Sequence, residues 1–395
     1  MKIGCAGLGW IALVGVGCAG SGALGAEDGC VVEPVVVGSY GVNGFAAHVE
    51  VIGSVAYVTT LQGTLKIVDV SDPTGPTALG AFVSPDGFAF ALTGFVDPAG
   101  VAYMGKTGGN VALEIVDVSD PTNTSLVGAF DTPSGNVFGV DVVGGYAYLC
   151  DGVSGLVVAD VSEPASATQA GIDSLGSTSN GVDVVGTLAY VAQDQGGLRI
   201  LDVSDPAALT VVGEIDTDGV AINVTVHGVG EGALAYVADG PGGMVVVDVS
   251  DPTAPVVVGV YATPTAARFV AIEGTIAYVQ VDGDEVHVVD VSDPGVMVML
   301  GAFDANADFG NGIAVIDSIV YAPGILDLLI VDVQLDCAGG CPADMNGDGA
   351  LNFFDVSAFL SAFGAGDASA DFTGDGALNF FDVSAFLAAF SGGCA

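Results

Sequence analysis

Basic residues are nearly absent from this chain of 395 residues. It contains 5 Lys and Arg against 47 Asp and Glu, which gives a formal net charge of −42 at pH 7. Nucleic acids and anionic membrane surfaces carry the same sign of charge, so neither is expected as a partner. Calcium ions, cationic surfaces or a salty medium suit this charge, and a solvated acidic surface explains it without any ligand.

Catalytic and zinc-binding signatures are lacking too. The three histidines lie at unrelated positions of the repeat described below. The sequence has no C-x-x-C pattern, no G-x-S-x-G motif, no phosphate loop and no glycosidase-like pair of glutamates. We therefore assign no catalytic residue and no site for an organic cofactor. A binding protein is favoured, and an enzyme stays open.

Long hydrophobic runs are confined to the first 26 residues. They carry Lys2, an apolar stretch from Ile3 to Val16 and a small-residue ending at Ala26. This pattern is typical of a secretory signal peptide and is too short and glycine-rich for a membrane span. We predict a secreted protein, extracellular or attached to the cell surface. Cys18 fits a lipoprotein signal poorly, because no large apolar residue stands three positions before it.

A unit of 42 to 48 residues recurs seven times in the middle of the chain. Each unit reads as four short strands rich in β-branched residues, with Gly, Asp and Pro in the turns. Such a period is typical of blade-like arrays, in which stacked units bury one another's faces. The marker of each unit is an aspartate in a V-D-V or similar tripeptide: Asp69, Asp117, Asp160, Asp202, Asp248, Asp290 and Asp332.

The last unit lacks its fourth strand, and the start of the mature chain supplies a matching one. Residues Glu33–Tyr40 read E-P-V-V-V-G-S-Y and resemble Ala254–Tyr261, A-P-V-V-V-G-V-Y. A strand from one end of the region would complete the last sheet and close the ring. We therefore predict an all-β, seven-bladed β-propeller over residues 27–335, followed by a small helical domain over residues 336–395.

The repeats G-L-x-I-x-D-V-S-D-P, with A-Y-V upstream, resemble the LVIVD repeat family. The resemblance covers residues 33 to 333 and implies the propeller fold but little about activity. Five of the seven repeated aspartates are followed by Val and then Ser-Asp-Pro, and Asp and Ser there are expected to bond their own turn backbone. We interpret them as turn structure rather than as a ring of functional carboxylates.

The loops before the inner strands are predicted to line the mouth of the central channel. Amides and one guanidinium there suit hydroxyls or a carboxylate on a ligand, although polar residues are expected at any exposed rim. The predicted mouth residues are His48, Asn180, Asn223, Arg268 and Asn311.

The tail, residues 336–395, contains a duplication. Ala350–Leu360 and Ala377–Leu387 are both A-L-N-F-F-D-V-S-A-F-L, 27 residues apart, and oxygen ligands at calcium-loop spacing surround each start. We predict two calcium ions. The first loop would use Asp344, Asn346, Asp348, Ala350, Asn352 and Asp355, and the second Asp371, Thr373, Asp375, Ala377, Asn379 and Asp382. The second site is expected to be weaker, because Thr373 replaces a carboxylate or amide.

A duplicated loop-then-helix unit without a preceding helix resembles a type I dockerin, in a variant flanked by cysteines. The resemblance implies a cohesin-like or other cell-surface partner. Where that family usually carries its contacting Ser/Thr pair, this chain has Phe353-Phe354 and Phe380-Phe381. We predict these rings as the docking surface, with one ring of each pair packed inward. The alternative is that all four rings form the core of the tail.

Cleavage after Ala26 leaves five cysteines, and a secreted setting favours disulfides. The dockerin resemblance implies that the ends of the tail meet, which predicts a Cys341–Cys394 bond. Cys30 and Cys337 bracket the propeller and are predicted to secure its closure. Cys150 is left over and is expected to be a buried apolar residue.

These patterns favour a secreted interaction protein, in which a propeller binds an unknown protein or glycan and a calcium-dependent tail attaches it. The rival is a polysaccharide-degrading enzyme or accessory subunit targeted by its dockerin. A protein with a purely structural role is third. Two or three carboxylates or histidines converging at the channel mouth would favour the enzyme, and the repeat pattern indicates no such cluster.

Overall fold

The computed structural model describes residues 30–392 except 33, 87–89, 98, 175, 231, 306–311, 334, 338–342, 344, 346–352 and 374–376. The predicted signal peptide and Cys18 therefore lie outside the described residues, as do Cys341, Cys394 and most of the first calcium loop. Among the described residues, no helix is long and apolar enough to cross a membrane.

The described residues form seven four-stranded antiparallel sheets, which confirms the predicted seven-bladed propeller. Blade 1 contains β3 (Ala46–Ile52), β4 (Val55–Thr60), β5 (Thr64–Asp69) and β6 (Thr77–Val83). Blade 2 contains β7 (Phe90–Val96), β8 (Val101–Thr107), β9 (Leu113–Asp117) and β10 (Ser125–Phe130). Blade 3 contains β11 (Gly139–Val143), β12 (Tyr146–Cys150), β13 (Leu156–Asp160) and β14 (Thr168–Asp173).

The next three blades repeat the pattern. Blade 4 contains β15 (Gly181–Val185), β16 (Leu188–Ala192), β17 (Leu198–Asp202) and β18 (Thr210–Ile215). Blade 5 contains β19 (Asn223–His227), β20 (Leu234–Ala238), β21 (Met244–Asp248) and β22 (Val256–Tyr261). Blade 6 contains β23 (Ala267–Glu273), β24 (Ile276–Val281), β25 (Glu285–Asp290) and β26 (Val298–Asp304).

Blade 7 is assembled from both ends of the propeller region. It contains β27 (Ala314–Ile316), β28 (Ile319–Pro323), β29 (Asp327–Asp332) and, as its outer strand, β2 (Val35–Gly41). Val36 pairs with Val331 and Gly41 with Asp327, so the predicted ring closure is confirmed. The innermost strands contact one another around the ring, and β27 contacts β3.

The blades bury apolar side chains on both faces, because each sheet lies between two others. In blade 3 the second strand shows this clearly: Ala147, Tyr148 and Leu149 are successive residues and all are buried. Their alternate sides belong to different apolar clusters, one shared with blade 2 and one with blade 4. The core is therefore a series of inter-blade layers.

The Ser-Asp-Pro turn of one blade contacts a glycine in the outer strand of the blade before it. At six of the seven outer-strand β-bulges of the described residues, a glycine abuts the proline carbonyl of the Ser-Asp-Pro turn in the next blade (Ser-Glu-Pro in blade 3), so closely that an added Cβ would overlap that oxygen. We call each such contact a blade joint. The six joints pair Gly38 with Pro73, Gly80 with Pro121, Gly128 with Pro164, Gly171 with Pro206, Gly213 with Pro252, and Gly259 with Pro294.

The seventh joint is built differently. Blade 7 has no Ser-Asp-Pro turn, and the carbonyl of Val32 takes the place of the proline carbonyl, 2.8 Å from a Cβ added at Gly301. Val32 ends β1 (Cys30–Val32), which pairs antiparallel with β30 (Leu335–Cys337). This register places the Cα atoms of Cys30 and Cys337 opposite each other, as their predicted bond requires.

The tail contains two helices of equal length, α1 (Phe353–Ala365) and α2 (Phe380–Gly392). Phe359 and Phe386, equivalent in the duplication, stack in parallel with ring centroids 4.0 Å apart. Phe372 meets both rings edge-on, at 5.6 and 5.3 Å. A short 3-10 helix (Ala368–Ala370) lies between the two halves.

Candidate functional site

The inner strands surround a central cavity of about 630 Å³. Four of the five predicted mouth residues line it, namely His48, Asn180, Asn223 and Arg268. The structure therefore brings these four together, and Asn311 lies outside the described residues. The rest of the wall comes mainly from the valines and glycines of the inner strands, and from three phenylalanines.

The polar mouth residues are already engaged with neighbouring groups. Arg268 donates from Nε and Nη2 to the two carboxylate oxygens of Asp282, at 2.6 and 3.0 Å. Asn180 Nδ2 donates to the Ala221 carbonyl at 2.9 Å. Because its charge is paired with Asp282, Arg268 is poorly suited to bind the ligand carboxylate that the sequence suggested.

His48 occupies a pocket that a glycine opens. An added Cβ at Gly312 would overlap the imidazole ring, so only glycine leaves room for it there. The ring packs edge-on against Phe269, with centroids 6.1 Å apart. Burial lowers the pKa of His48 to about 4, so the ring is neutral at pH 7. Its Nδ1 is shielded from solvent and has no hydrogen-bond partner.

Three carboxylates that sequence reasoning missed lie on the channel wall. Glu50, Asp141 and Asp183 stand in the middle of inner strands of blades 1, 3 and 4. Each accepts a hydrogen bond from an amide of the following blade's inner strand. The bonds are Val96 N to Glu50 Oε2 at 2.6 Å, Val184 N to Asp141 Oδ2 at 2.7 Å, and Val226 N to Asp183 Oδ2 at 2.7 Å.

These carboxylates cap amides that would otherwise have no partner, because the innermost strand of each blade is a sheet edge. Burial raises the pKa of Glu50 to about 7 and that of Asp183 to about 6. The bonded amides act against the rise, and the charge of Asp141 adds to it at both sites. Burial also raises the pKa of Asp141 itself.

The repeat pattern indicated no carboxylate cluster at the channel mouth, and the structure places three carboxylates along the channel wall. The signal was present as V-E-V at 49–51 and V-D-V at 140–142 and 182–184, each in the middle of an inner strand. The three acids do not form a metal site: among the residues described, no three His, Cys, Asp or Glu side chains lie close enough to hold a metal ion.

The repeated aspartates at the ends of the third strands are turn residues, as predicted. Asp117 Oδ1 accepts from the amide and hydroxyl of Ser119, at 3.0 and 2.7 Å. These two bonds lower the pKa of Asp117, the hydroxyl more than the amide. Amides two residues on bond the aspartate in the same way at Asp69, Asp160, Asp202, Asp248 and Asp290.

The second predicted calcium loop gathers oxygen atoms around Thr373. Its hydroxyl donates to Asp382 Oδ1 at 2.8 Å and lies 3.4 Å from Asp371 Oδ1. Asp382 is fully buried and also accepts from the amides of Thr373 and Asn379. Asn379 Nδ2 donates to the carbonyl of Ala377. Asp375 lies outside the described residues, and so do all predicted ligands of the first loop except the buried Asp355.

The second aromatic pair of the tail is exposed. Phe380 is 75% and Phe381 69% accessible to solvent. The expectation that one ring of each pair packs inward is wrong for this pair, and so is the alternative that all four rings form the core. Phe353 and Phe354 begin α1, and their side chains are outside the described part of the structure.

Comparison with known proteins identifies the repeat. The LVIVD repeat matches residues 43–83, 102–132, 134–172, 176–217, 218–263 and 265–305, more than half of the chain. No family match falls in the tail. A search of curated proteins finds none that matches.

Solved structures share the propeller fold at low identity. The β-propeller domain of Myceliophteria thermophila Cps50 (Swd1) is 11% identical with a TM-score of 0.62, covering 76% of this chain and 100% of that one. Chaetomium thermophilum Raptor is 12% identical with a TM-score of 0.60, covering 75% and 29%. The computationally designed Ika8 protein is 9% identical with a TM-score of 0.53, covering 74% and 97%. At such identities the likeness shows the fold alone.

Proposed function

This chain belongs to the LVIVD repeat family, and from that premise we propose that it is a secreted, non-enzymatic binding protein. Its propeller is the binding platform, and its tail is a calcium-dependent, dockerin-like attachment domain. The observation that carries the platform is the central cavity of about 630 Å³, a size that suits a small ligand or a side chain of a partner. The partner at the propeller is a protein or a glycan.

Two calcium ions are proposed for the tail, one in each loop. In the second loop, Asp371, Thr373 and Asp382 already turn oxygen atoms toward one another, and hard oxygens are the ligands calcium prefers. From their loop spacing, Ala377, Asn379 and Asp375 would supply the further ligands of this ion, and the first loop repeats the spacing. The bound ion supplies the positive charge that holds the carboxylates together.

The tail has no basic side chain that could balance its carboxylates. Residues 338–395 contain no Lys, Arg or His. Their acidic residues are seven aspartates: Asp344, Asp348, Asp355, Asp367, Asp371, Asp375 and Asp382. Asp382 is buried and its donors on Thr373 and Asn379 are uncharged, so a cation from solution would balance its charge.

Attachment is proposed to use the double phenylalanines. Two exposed rings side by side are unusual on a soluble surface and suit a docking contact. The duplication would offer the same pair twice, as Phe353-Phe354 and Phe380-Phe381. A cohesin-like or other cell-surface protein is the proposed partner, in keeping with the dockerin resemblance.

Secretion and two disulfides complete the proposal. The pairing of Cys30 opposite Cys337 supports the bond at the propeller closure. The Cys341–Cys394 bond remains a proposal from the dockerin resemblance. Peptide mapping of the secreted protein tests both, and a free thiol at any of the four positions contradicts the bond assigned to it.

Calcium removal tests the tail. We expect the full-length mature chain to lose helical circular dichroism in chelator and to regain it with calcium. Titration calorimetry should count two ions, with the first loop holding its ion longer. Asp382→Ala should lose one ion, and Asp367→Ala should keep both, because Asp367 only caps the 3-10 helix through Ser369 N. Identical helicity with and without calcium rejects the proposal.

Surface retention tests docking. Phe353→Ser combined with Phe380→Ser should release the protein from cells while calcium-dependent folding is unchanged. The matched control is Val153→Ser, which removes an apolar side chain that is 79% exposed on the propeller. If the double variant no longer folds with calcium, the rings are structural and the docking role is rejected.

A second candidate function is polysaccharide degradation, which the channel carboxylates favour. Burial raises the pKa of Glu50 to about 7, a value suited to a general acid. Incubation with soluble polysaccharides tests it: reducing ends should appear with the wild type and not with Glu50→Gln. If no reducing ends form, the non-enzymatic function is retained.

A further inference from the structure

At pH 8, above the raised pKa values of Glu50 and Asp183, the channel wall carries negative charge that no basic residue of its described lining balances. Glu50, Asp141 and Asp183 line the cavity. Arg268, the basic residue among the described lining, is already paired with Asp282 through two bonds. The net charge of −42 adds to the negative potential in this concave space, so a cation is drawn into it.

Glu50 keeps the capacity to bind a ligand. Glu50 contacts the next blade through Oε2 alone. An ionised carboxylate has roughly four acceptor positions, so one bonded amide leaves room for further donors.

Unpartnered polar atoms beside Glu50 give a second observation. Thr59 lies opposite His48 in the β3–β4 pair and is only 1% exposed. Its Oγ1 has no partner, and neither has Nδ1 of His48. His48, Thr59 and Glu50 are polar members of a mostly apolar lining around a void of about 10 Å³ beside the channel. Buried polar atoms without partners are costly, and the neutral imidazole and the hydroxyl can both accept an N–H.

The same wall favours an organic cation over a metal ion. Phe95, Phe138 and Phe269 line the cavity, and aromatic faces attract ammonium and guanidinium groups. The described residues hold no three metal-ligating side chains close enough to bind one ion. A volume of about 630 Å³ also far exceeds the size of a single ion.

We propose that the central channel binds a small organic cation through its ammonium or guanidinium group. Glu50 is the main contact, with Asp141 and Asp183 along the wall and the phenylalanines around the hydrocarbon part. This inference rests on the proposed function, because that function makes the propeller the binding platform.

Calorimetry with agmatine tests the proposal, since agmatine carries both an ammonium and a guanidinium group. We use the full-length mature chain at pH 8 and 0.15 M salt, with 1,4-butanediol as the uncharged counterpart. Agmatine should bind and butanediol should not. Glu50→Gln combined with Asp183→Asn should weaken agmatine binding at least tenfold.

The matched control is Asp69→Asn combined with Asp202→Asn, which removes the same charge from two turns that do not line the channel. It should leave agmatine binding within twofold of the wild type. Equal losses in both double variants, or no binding to the wild type, overturns the proposal. Tighter binding of N-acetyl-lysine amide than of agmatine keeps the cation chemistry and identifies a protein side chain as its source.

Failure here is distinguishable from failure of the proposed function. If agmatine does not bind but calcium still orders the tail and the protein is retained at the surface, only the cation site is wrong. If agmatine binds while the tail ignores calcium and retention is absent, the cation site stands and the attachment function fails.

Discussion

The tripeptide Val-Asp-Val occurs in two regions of the propeller with opposite consequences. At the channel wall, burial raises the pKa of Asp183 to about 6. At the end of a third strand, the hydroxyl and amide of Ser119 lower the pKa of Asp117. The surroundings, and not the tripeptide, therefore decide whether folding favours the charged or the neutral carboxyl.

The donors and the solvent explain the difference. Asp183 accepts from the amides of Val226 on the next blade and Val184 beside it, but the loss of solvent, together with the charge of Asp141, outweighs both. Asp117 accepts from the hydroxyl and the amide of Ser119, in the turn that leads to Pro121, and keeps part of its surface in solvent. Burial at the channel wall therefore disfavours the charged carboxylate, whereas the charged carboxylate at the end of a third strand accepts the hydrogen bonds that form the turn.

The largest effect is expected from a substitution at a blade joint, because the proline of each joint belongs to the turn that follows a repeated aspartate. Gly38→Ala places a methyl group onto the carbonyl of Pro73, with backbone on both sides and no flexible side chain to yield. We expect a loss of about 3 kcal/mol or more in the free energy of unfolding, measured with urea. Gly41→Ala is the control, because Gly41 lies in the same strand and a Cβ added there meets no atom within 4 Å. Equal midpoints for the two variants would contradict the joint.

The pH dependence of the free energy of unfolding tests the carboxylates on the channel wall. The pKa of Glu50 rises from 4.5 to about 7, and that of Asp183 from 3.8 to about 6. The folded chain therefore binds more protons than the unfolded chain in this window, so the free energy of unfolding falls as pH rises from about 4 to 7. We expect the loss to be about 2 kcal/mol after allowing for solvent in the channel.

The opposite slope is expected at lower pH. The turn aspartates have a lowered pKa, so their contribution is present above the unfolded value and is lost as pH falls below it. Glu50→Gln combined with Asp183→Asn should flatten only the upper slope. An unchanged upper slope in that variant would place its origin elsewhere.

The smallest effect is expected when aspartate is replaced by asparagine, once at the channel wall and once in a turn. Asp183→Asn at pH 8 removes a strained charge and keeps an acceptor for Val226 N, so we expect stabilisation of about 1 kcal/mol. Asp117→Asn should instead lower the melting temperature slightly, because the turn loses a charged acceptor. Thermal unfolding of the two variants gives the signs, and two shifts in the same direction would refute the comparison.

The fold could be predicted because its signals are local and repeated. The P-x-x-V-G pattern of residues 33–40 identified β2 as the missing strand of blade 7, since each outer strand carries the same bulge glycine. The proline carbonyl that requires this glycine belongs to the next blade, and no local pattern indicates it.

The site was only partly predictable, for a related reason. Asn180 and Arg268 were correctly placed at the channel, but their partners Ala221 and Asp282 depend on how strands meet. Glu50 was missed because its amide partner, Val96, lies 46 residues away on the next blade. In the tail, equal sequence at both loops predicted equivalent helices, but not that Phe380 and Phe381 are both exposed.

The pairing of β2 with β29 also delays the completion of blade 7 during synthesis. Residues 35–41 emerge first, and their partners, residues 327–332, follow almost 290 residues later. At a synthesis rate of about 5–20 residues per second, β2 waits roughly 15 to 60 s for its sheet. In a chain that ends before residue 327, β2 has no partner strand. The faces of blades 1 and 6 that pack against blade 7 then stay exposed to solvent. We therefore expect truncated chains to aggregate or to be degraded, and not to accumulate as six-bladed rings.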